Sequence, residues 1–316
     1  MRILVTGASG LLGLNLALEA CPEHTVFGQV HSQQLNTSQF EIYQADLLVP
    51  GVIERLIDRT QPDWVIHCAA MANLDACEAD PERARQLNSE VPAKLASVVA
   101  RGGARLLHVS TDAVFDGQRG DYSEQDAPHP LSTYAHTKLE GERAVKEADP
   151  AAIIARVNLY GWSLSGRRSL GEFFFNNLSA SRQVMGFTDV YFCPLLANDL
   201  AHIFLKMLSS KLTGLYHVVS SECTSKFAFG QTIAREFGFD ERLVTPTMVD
   251  QAGLKATRSP YLTLQSDKIA QALGESLPGI ASGLERFHAL YLRGYPNYIR
   301  QLGAQAVGRS GNQANG

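Results

Sequence analysis

The stretch that decides the fold is Arg2-Ile-Leu-Val-Thr-Gly-Ala-Ser-Gly-Leu-Leu-Gly13. Residues 2–6 form an apolar run that predicts a strand, the glycines at 7, 10 and 13 follow it, and residues 15–20 have an amphipathic helical pattern. Glycines let the backbone turn sharply and approach a pyrophosphate, whose charge then meets free N–H groups at the positive end of the helix. The stretch therefore predicts a dinucleotide-binding turn, with a tight turn that binds no ligand as the alternative.

The chain continues as an alternation of strand-like and helical patterns. Apolar runs that predict strands lie at 2–6, 24–30, 40–45, 64–68, 105–110 and 152–157. Helical patterns separate them near 11–21, 52–60, 81–101 and 132–147. This alternation predicts an α/β fold, a doubly wound parallel sheet of the Rossmann type, with its ligand crevice at the carboxyl ends of the strands.

The pattern changes after about residue 162. An aromatic helix is predicted at 169–182 and short strands are predicted at 191–196 and 214–219. Three more helices are predicted at 198–210, 225–238 and 280–293. We predict an NAD(P)-binding domain over 1–161 and a smaller C-terminal α/β substrate-binding region over 162–300, from which the chain returns to the sheet. Residues 303–316, rich in Gly, Gln, Asn and Ser, predict a disordered tail.

Composition narrows the class of ligand. The 316 residues are 45% hydrophobic and 19% charged, with a formal net charge of −4 and no basic cluster beyond Arg167-Arg168. This gives no electrostatic reason to expect nucleic acid or a membrane as partner, and no apolar run is long enough to span a bilayer. A strand that begins at residue 2 leaves no room for a signal peptide, so we expect a cytoplasmic protein with a small-molecule substrate.

Cysteines and histidines give no pattern typical of a metal site. The five cysteines are odd in number and scattered, which predicts reduced, mostly buried thiols: Cys21, Cys68, Cys77, Cys193 and Cys223. His67 and His108 fall within predicted strands and are expected to be core residues, not ligands. No metal is predicted.

A tyrosine and a lysine one helical turn apart are the catalytic candidates. Tyr134 and Lys138 fall on one face of the helix predicted at 132–147. A free phenol titrates near ~10, so a neighbouring cation is needed to make it an effective acid or base at neutral pH. We expect Lys138 and an oxidised nicotinamide to lower the Tyr134 pKa. Such pairs also occur on ordinary solvated helices, which is the alternative.

Two further motifs end predicted strands at the expected ligand edge. His67-Cys-Ala-Ala70 follows the fourth strand and supplies small residues suited to close passage of a cofactor, although alanines beside a strand are also ordinary packing. Ser110-Thr-Asp112 follows the fifth strand and brings a hydroxyl and a carboxylate to the same edge.

With these pieces in place, residues 1 to about 295 resemble the extended short-chain dehydrogenases/reductases, and within them the dTDP-4-dehydrorhamnose reductases. The resemblance rests on Thr6-Gly-Ala-Ser-Gly-Leu-Leu-Gly13, Ala45-Asp-Leu47, Val65-Ile-His-Cys-Ala-Ala70, Ser110-Thr-Asp-Ala-Val-Phe-Asp-Gly117, Tyr134-Ala-His-Thr-Lys-Leu-Glu-Gly-Glu142, Arg156 and Leu159-Tyr-Gly161. It implies NAD(P)H-dependent reduction of the keto group of a nucleotide-activated 4-keto-6-deoxy sugar.

The resemblance also implies roles for individual residues. Thr111 and Tyr134 would hold the substrate carbonyl, and Lys138 would contact the cofactor ribose and the phenol. The expected cofactor contacts are Gly7, Ser9, Gly10, Leu11, Leu12, Gly13, His31, Ser32, Asp46, Leu47, Cys68, Ala69, Ala70, Tyr134 and Lys138. The expected substrate contacts are Asp112, Val114, Phe115 and Leu159. The related 4,6-dehydratases carry an Asp-Glu pair after the threonine, whereas Ala113 follows Asp112 here, which favours simple reduction.

The segment after the second strand indicates which cofactor is used. Enzymes that use NAD commonly place a carboxylate there on the ribose 2′-hydroxyl, but this chain has His31, Ser32 and two glutamines. These side chains tolerate or hydrogen-bond a 2′-phosphate, so we expect NADP(H) in preference to NAD(H). A flexible surface loop would have the same composition.

Two departures from the reductase pattern and two related classes leave alternatives open. Ala113 replaces an aromatic residue and Leu159 replaces a tryptophan. The leucine removes a stacking surface and enlarges the predicted pocket, so a different 4-keto sugar nucleotide or another ketone is an alternative substrate. The Leu159-Tyr-Gly161 segment also resembles the regulatory β subunits of methionine adenosyltransferase, which bind NADP without catalysis. A nucleotide-sugar epimerase is a further alternative.

The helices at 81–101 and 132–147 resemble those of a dimer interface, so a homodimer is possible, with Leu95, Val98 and Val99 in the interface or the core.

Overall fold

A seven-stranded, fully parallel sheet forms the centre of the computed structural model, which describes residues 1–252 and 259–303. The strands of this sheet are β1 Arg2–Thr6, β2 Thr25–Val30, β3 Glu41–Gln44, β4 Trp64–His67, β5 Arg105–Thr111, β6 Ile153–Val157 and β11 Gly214–Val218. Their order across the sheet is β11-β6-β5-β4-β1-β2-β3. The first six strands and their parallel arrangement confirm the predicted fold class.

Twelve α-helices surround the sheet and the short strands beside it in the described part of the chain. They are α1 Leu11–Ala20, α2 Val52–Thr60, α3 Leu74–Ala79, α4 Pro81–Arg85, α5 Val91–Gly102, α6 Thr133–Ala148, α7 Leu170–Ser179, α8 Ala197–Ser209, α9 Lys226–Glu236, α10 Asp267–Leu273, α11 Ile280–Leu292 and α12 Tyr295–Leu302. A π-helical turn, Gln86–Glu90, joins α4 to α5. The short strands are β7 Leu159–Tyr160, β8 Val184–Phe187, β9 Tyr191–Phe192, β10 Leu195–Leu196, β12 Thr224–Ser225, β13 Val244–Thr247 and β14 Tyr261–Leu262.

The sheet is apolar on both faces because helices cover both. One hydrophobic cluster joins the sheet to α1 and α8, and a second joins it to α2 and α5. The central strands therefore read as continuous buried runs with little alternation. β1 lies between β2 and β4, so the chain direction across the sheet reverses there, and the crevice beyond its carboxyl end is where such sheets bind ligands.

The C-terminal part of the chain shares the first of these clusters. Aromatic side chains from α7, α9 and α11 pack around Trp162, whose ring stacks on Phe287 at 4.0 Å between centroids. β11 returns to the sheet beside β6, so the two predicted regions are joined through the sheet as well. The division into domains at residue 161 stays a prediction.

The cysteine prediction is wrong for one pair. Cys193 and Cys223 form a disulfide, with Cα atoms 4.1 Å apart, while Cys21, Cys68 and Cys77 are free. The pairing is invisible in the sequence because 30 residues separate the partners and only the folded chain brings them together. The cysteine content therefore gives no support for a reducing compartment.

Three further expectations concern the interface residues, the C-terminal tail and membrane-spanning helices. Leu95, Val98 and Val99 are buried in the core of the single chain, so they are not free to form an interface. Apart from residue 303, which is in a turn, the predicted tail 303–316 lies outside the described residues. No helix in the described ranges is long and apolar enough to cross a membrane.

Candidate active site

The glycine turn lies at the carboxyl end of β1, against the exit of β4. Gly7 has a φ of +67°, and a Cβ at this residue would be 2.8 Å from the backbone of Ala69. A Cβ at Gly13 would be 2.3 Å from the carbonyl oxygen of Gly7. Gly10 precedes α1 without a side-chain cap, so the first N–H groups of the helix have no intrahelical partner. This backbone cradle fits a phosphate group.

A buried glutamine, which we did not identify from the sequence, holds the turn in place. Gln29 on β2 accepts a hydrogen bond from the Gly7 N–H at 3.0 Å and donates one to the Ala45 carbonyl at 2.7 Å. It thereby ties the glycine turn to the end of β3. A fully buried amide in an otherwise apolar strand is the signal that identifies such a residue.

The residues expected at the adenosine end lie close together after β2 and β3. The Nε2 atom of His31 is 3.6 Å from Oδ2 of Asp46, and Oδ1 of Asp46 accepts the Leu48 N–H at 3.0 Å. His31 and Ser32 are exposed, whereas the Leu47 side chain is buried in the core. Leu47 can therefore offer a ligand little beyond its backbone.

His67 at the end of β4 and His108 in the middle of β5 are buried, as predicted. Their rings stack at 5.4 Å between centroids, and Nδ1 of His67 is 2.7 Å from the Thr6 hydroxyl. Burial and then the charge of Lys138 lower the pKa of His67 to about 3, so the ring is neutral. No group of three or more His, Cys, Asp and Glu residues in the described chain is arranged to hold a metal.

Tyr134 and Lys138 share one face of α6, as predicted, but their electrostatics differ from the expectation. The Lys138 ammonium donates to the Val109 carbonyl at 2.7 Å and lies 3.4 Å from Nε2 of His108. Burial lowers the pKa of Lys138 to about 8, opposed by the charges of Glu142 and Cys68. The cation is thus bound to β5.

The described chain shows no lowering of the Tyr134 pKa by Lys138, and the expected contribution of an oxidised nicotinamide stays a prediction. Burial raises the pKa of this phenol to about 12; a hydrogen bond with Thr111 opposes the shift, and the charges of Asp112 and Cys77 add to it. The phenol is therefore protonated at neutral pH. A protonated phenol is the form needed to give a proton to an alkoxide during reduction.

Thr111 and Asp112 stand at the carboxyl end of β5, next to the phenol. The Thr111 hydroxyl accepts the Ala113 N–H at 3.2 Å and lies 3.1 Å from Oδ1 of Asp112. Asn158, which follows β6 and was not predicted, donates to Oδ2 of Asp112 at 2.5 Å. Burial raises the pKa of Asp112 to about 6, against the bonds from Asn158 and Thr111 and the charge of Lys226.

The remaining predicted substrate residues differ in exposure. Val114 and Phe115 are fully buried, and the Phe115 ring stacks on Tyr122 at 4.2 Å between centroids. Leu159 is half-buried and pairs with Leu195 in a two-stranded sheet. The first two side chains thus support the loop that carries Asp112, and Leu159 is the more accessible of the three.

A buried ion pair anchors α6 to the sheet. Glu142 lies two turns after Tyr134, and both of its carboxylate oxygens are bound by Arg156 of β6, at 2.9 and 2.8 Å. Ser110 of β5 also donates a hydrogen bond to Glu142. Both charged side chains are almost fully buried. In the sequence, Glu142 could be identified because it lies a multiple of four residues after Tyr134. Arg156 could be identified because it lies near the end of a strand.

A second contact fixes the other side of α6. Asn88, in the π-helical turn, donates to the Thr137 hydroxyl at 3.1 Å and accepts the Met71 N–H at 2.9 Å. Gly141 allows this approach, since a Cβ there would be 2.1 Å from the Asn88 carbonyl oxygen. The helix that carries Tyr134 and Lys138 is therefore held from two directions.

The fold, the glycine cradle and the Thr111–Tyr134–Lys138 arrangement together define an extended short-chain dehydrogenase/reductase. Residues 1–292 match the family described as "RmlD substrate binding domain". The chain belongs to this family.

Similar proteins include reductases and the β subunit of methionine adenosyltransferase 2. A probable low-salt glycan biosynthesis reductase, Agl14, of Haloferax volcanii is 32% identical, covering 92% of this chain and 98% of that protein. The dTDP-4-dehydrorhamnose reductase of Mycobacterium tuberculosis is 33% identical over 86% of this chain and 87% of its own length. The methionine adenosyltransferase 2 subunit beta of Mus musculus is 31% identical, covering 85% and 79%.

Among solved structures, the dTDP-4-dehydrorhamnose reductase of Bacillus anthracis in complex with NADP has a TM-score of 0.79 at 27% identity. The match covers 91% of this chain and 98% of that one. The similarity therefore extends over both the sheet and the C-terminal region.

Proposed function

We propose that this protein reduces the keto group of a nucleotide-activated 4-keto-6-deoxy sugar with NADPH. The proposal depends above all on the protonated Tyr134 phenol beside Thr111 at the carboxyl edge of the sheet. Membership of a family that contains dTDP-4-dehydrorhamnose reductases supports the substrate class.

The cofactor would occupy the crevice beyond β1, where Gly7, Gly10 and Gly13 leave room for its phosphates. A bound nicotinamide supplies the hydride. Lys138, which donates to the Val109 carbonyl, would contact the ribose, and Ala69 and Ala70 offer small side chains along the proposed path. The remaining proposed cofactor contacts are those given above, with His31 and Ser32 at the 2′-position.

At the substrate, Thr111 and Tyr134 bind the same carbonyl oxygen. As the carbonyl becomes an alkoxide, Tyr134 gives it the phenolic proton while Thr111 holds the oxygen in place. Positioning and proton donation both lower the barrier, and general acid catalysis alone contributes about 10²–10⁴-fold. Asp112 and Leu159 would contact the sugar, and the leucine widens the pocket relative to a tryptophan.

The test is NADPH consumption by the purified protein on addition of dTDP-4-keto-6-deoxy-hexose. We expect oxidation that falls by about 10²–10⁴-fold in Tyr134→Phe, because the variant keeps the ring and loses only the proton. Lys146→Met, a change in the last turn of the same helix, should leave the rate unchanged. In the same preparation, comparable dissociation constants for NADPH and NADH would remove the cofactor preference.

A regulatory, non-catalytic role is the second candidate because the methionine adenosyltransferase β subunits are nearly as similar as the reductases. It predicts bound dinucleotide, a stable protein partner and no turnover. Intact Thr111, Tyr134 and Lys138 favour the enzyme. An epimerase would instead retain NAD, which would be released on denaturation.

A further inference from the structure

The segment that joins β2 to β3, residues 31–40, is the β2–β3 loop and carries His31 and Ser32, the residues expected at the cofactor 2′-position. It contains no helix or strand, and most of its residues are exposed. Binding a ligand to an exposed loop costs conformational entropy, because the loop must become ordered. Contacts that hold such a loop before the ligand arrives therefore raise its affinity for the ligand.

Two hydrogen bonds tie residues 32–39 to other elements in the described part of the chain, and α12 makes both. The Asn36 N–H donates to the Leu302 carbonyl at 2.6 Å. The Nε2 atom of Gln39 donates to the Tyr298 hydroxyl oxygen, also at 2.6 Å. Tyr298 and Leu302 lie one turn apart along the helix. One side of α12 thus holds the middle and the end of the β2–β3 loop.

α12 is itself fixed to the helix that follows the glycine turn. It begins at Tyr295, beyond residue 292, where the family match ends. Its Ile299 and Leu302 side chains are buried in the first hydrophobic cluster. The Tyr295 hydroxyl donates to Oδ1 of Asn15 on α1 at 2.8 Å. Since the N-terminus of α1 would meet the cofactor pyrophosphate, α12 connects both ends of the proposed adenosine site through direct contacts.

We propose that α12 is a cofactor-selectivity element: it holds the β2–β3 loop so that His31 and Ser32 are in place for the 2′-phosphate of NADPH. This proposal rests on the proposed function. Tyr298 is the positioning residue, since it acts on the 2′-position through Gln39 and the loop. The 2′-phosphate is the one group that NADPH has and NADH lacks. A loosened loop should therefore weaken NADPH binding and leave NADH binding unchanged.

The dissociation constants of NADPH and NADH, measured by fluorescence titration without substrate, provide the test. Tyr298→Phe should weaken NADPH binding by about 2–10-fold, as expected for one hydrogen bond, and leave NADH binding unchanged. Gln39→Ala should have the same effect. The double variant should bind no more weakly than either single variant, because all three lack the same bond. Tyr295→Phe is the matched control: it removes a hydroxyl that binds α1, so it should keep the ratio of the two constants.

Hydrogen exchange tests the same contact without cofactor. The amides of residues 31–40 should exchange faster in Tyr298→Phe than in the wild type or in Tyr295→Phe, because the loop opens more often. Unchanged exchange in Tyr298→Phe would overturn the proposal. An unchanged ratio of dissociation constants, or an equal weakening of both cofactors, would overturn it as well.

The outcomes also separate this proposal from the function. A protein that oxidises NADPH with the 4-keto sugar nucleotide, and whose cofactor ratio is unaffected by Tyr298→Phe, would lose only the role of α12. The expected shift in the ratio, in a protein without this turnover, would reject the reductase function alone. A wild type that binds NADPH and NADH equally would remove the cofactor preference and this proposal together.

Discussion

At the scale of single residues, the site separates the pKa values of two neighbouring acids. Burial raises the pKa of the Tyr134 phenol to about 12 and the pKa of the Asp112 carboxyl to about 6. The phenol stays protonated throughout the physiological pH range, whereas the carboxyl changes its protonation state at a pH close to that range. Divergent values in one site are typical of groups with different tasks in acid–base chemistry.

The raised pKa of Asp112 also predicts that this residue destabilises the fold. Its ordinary pKa is 3.8. Below that pH the carboxyl is protonated in both the folded and the unfolded chain, so the shift does not affect stability. Above about pH 6 it is ionised in both, and the folded state is destabilised by the free energy that corresponds to the whole pKa shift. A shift of about two units corresponds to about 3 kcal/mol. We expect Asp112→Asn to be more stable than the wild type at about pH 8 by up to this amount, and no more stable at about pH 3, by urea denaturation.

Asp116→Asn is the matched control with the opposite sign. The hydrogen bond from Tyr122 holds the pKa of Asp116 below its ordinary value, so its ionised form stabilises the fold above the unfolded pKa. Removing that carboxylate should lower stability near neutral pH. Equal behaviour of the two variants would show that the surroundings of Asp112 do not disfavour its charge.

At the scale of elements, α6 is the part of the molecule that positions the chemistry. Tyr134, Lys138 and Glu142 occur at every fourth residue, so all three face β5 and β6. The first lies beside Thr111, the second is bound by β5, and the third is bound by Arg156. The position of the phenol therefore depends on an ion pair two turns away.

Breaking that pair should be costly. Glu142→Gln leaves the Arg156 guanidinium buried without a compensating charge, for which we expect a loss of about 3–5 kcal/mol in unfolding free energy. The double variant Glu142→Gln, Arg156→Met should lose less, because it removes the uncompensated cation as well. Urea denaturation of both variants measures this difference. A single variant within about 1 kcal/mol of the wild type would show that α6 is held by its other contacts.

Elements were predictable from the sequence where the signal is local. Six strands of the sheet are apolar runs, and the Tyr134–Lys138 pair lies within one helix, so both could be identified. The paired strands Val184–Phe187 and Val244–Thr247 were missed because each is four residues long and the partners are distant in sequence. Gln29 and Asn158 were missed because their roles depend on partners that only the fold brings near.

At the scale of the whole molecule, the proposed substrate region is attached to the sheet by a continuous core and by one covalent link. The aromatic cluster around Trp162 and Phe287 is continuous with the side chains under β1 and α1. The disulfide joins Cys193, which packs with Val114 and Phe115, to exposed Cys223 just before α9. It thus links the segment that packs against Val114 and Phe115 to the segment that precedes α9.

This link should stabilise the protein in proportion to the chain that it closes. For partners separated by 30 residues, loss of the cross-link should cost about 3–4 kcal/mol, mainly by freeing the unfolded chain. We expect Cys223→Ser to lose this amount in urea denaturation, and a thiol reductant to lower the wild type to the same level without affecting the variant. Cys21→Ser, which changes a free thiol, is the control. The dissociation constant for NADPH should not change, because neither Cys193 nor Cys223 is among the proposed cofactor contacts. A wild type that responds to reductant no more than Cys223→Ser does would show that the link contributes nothing to the fold.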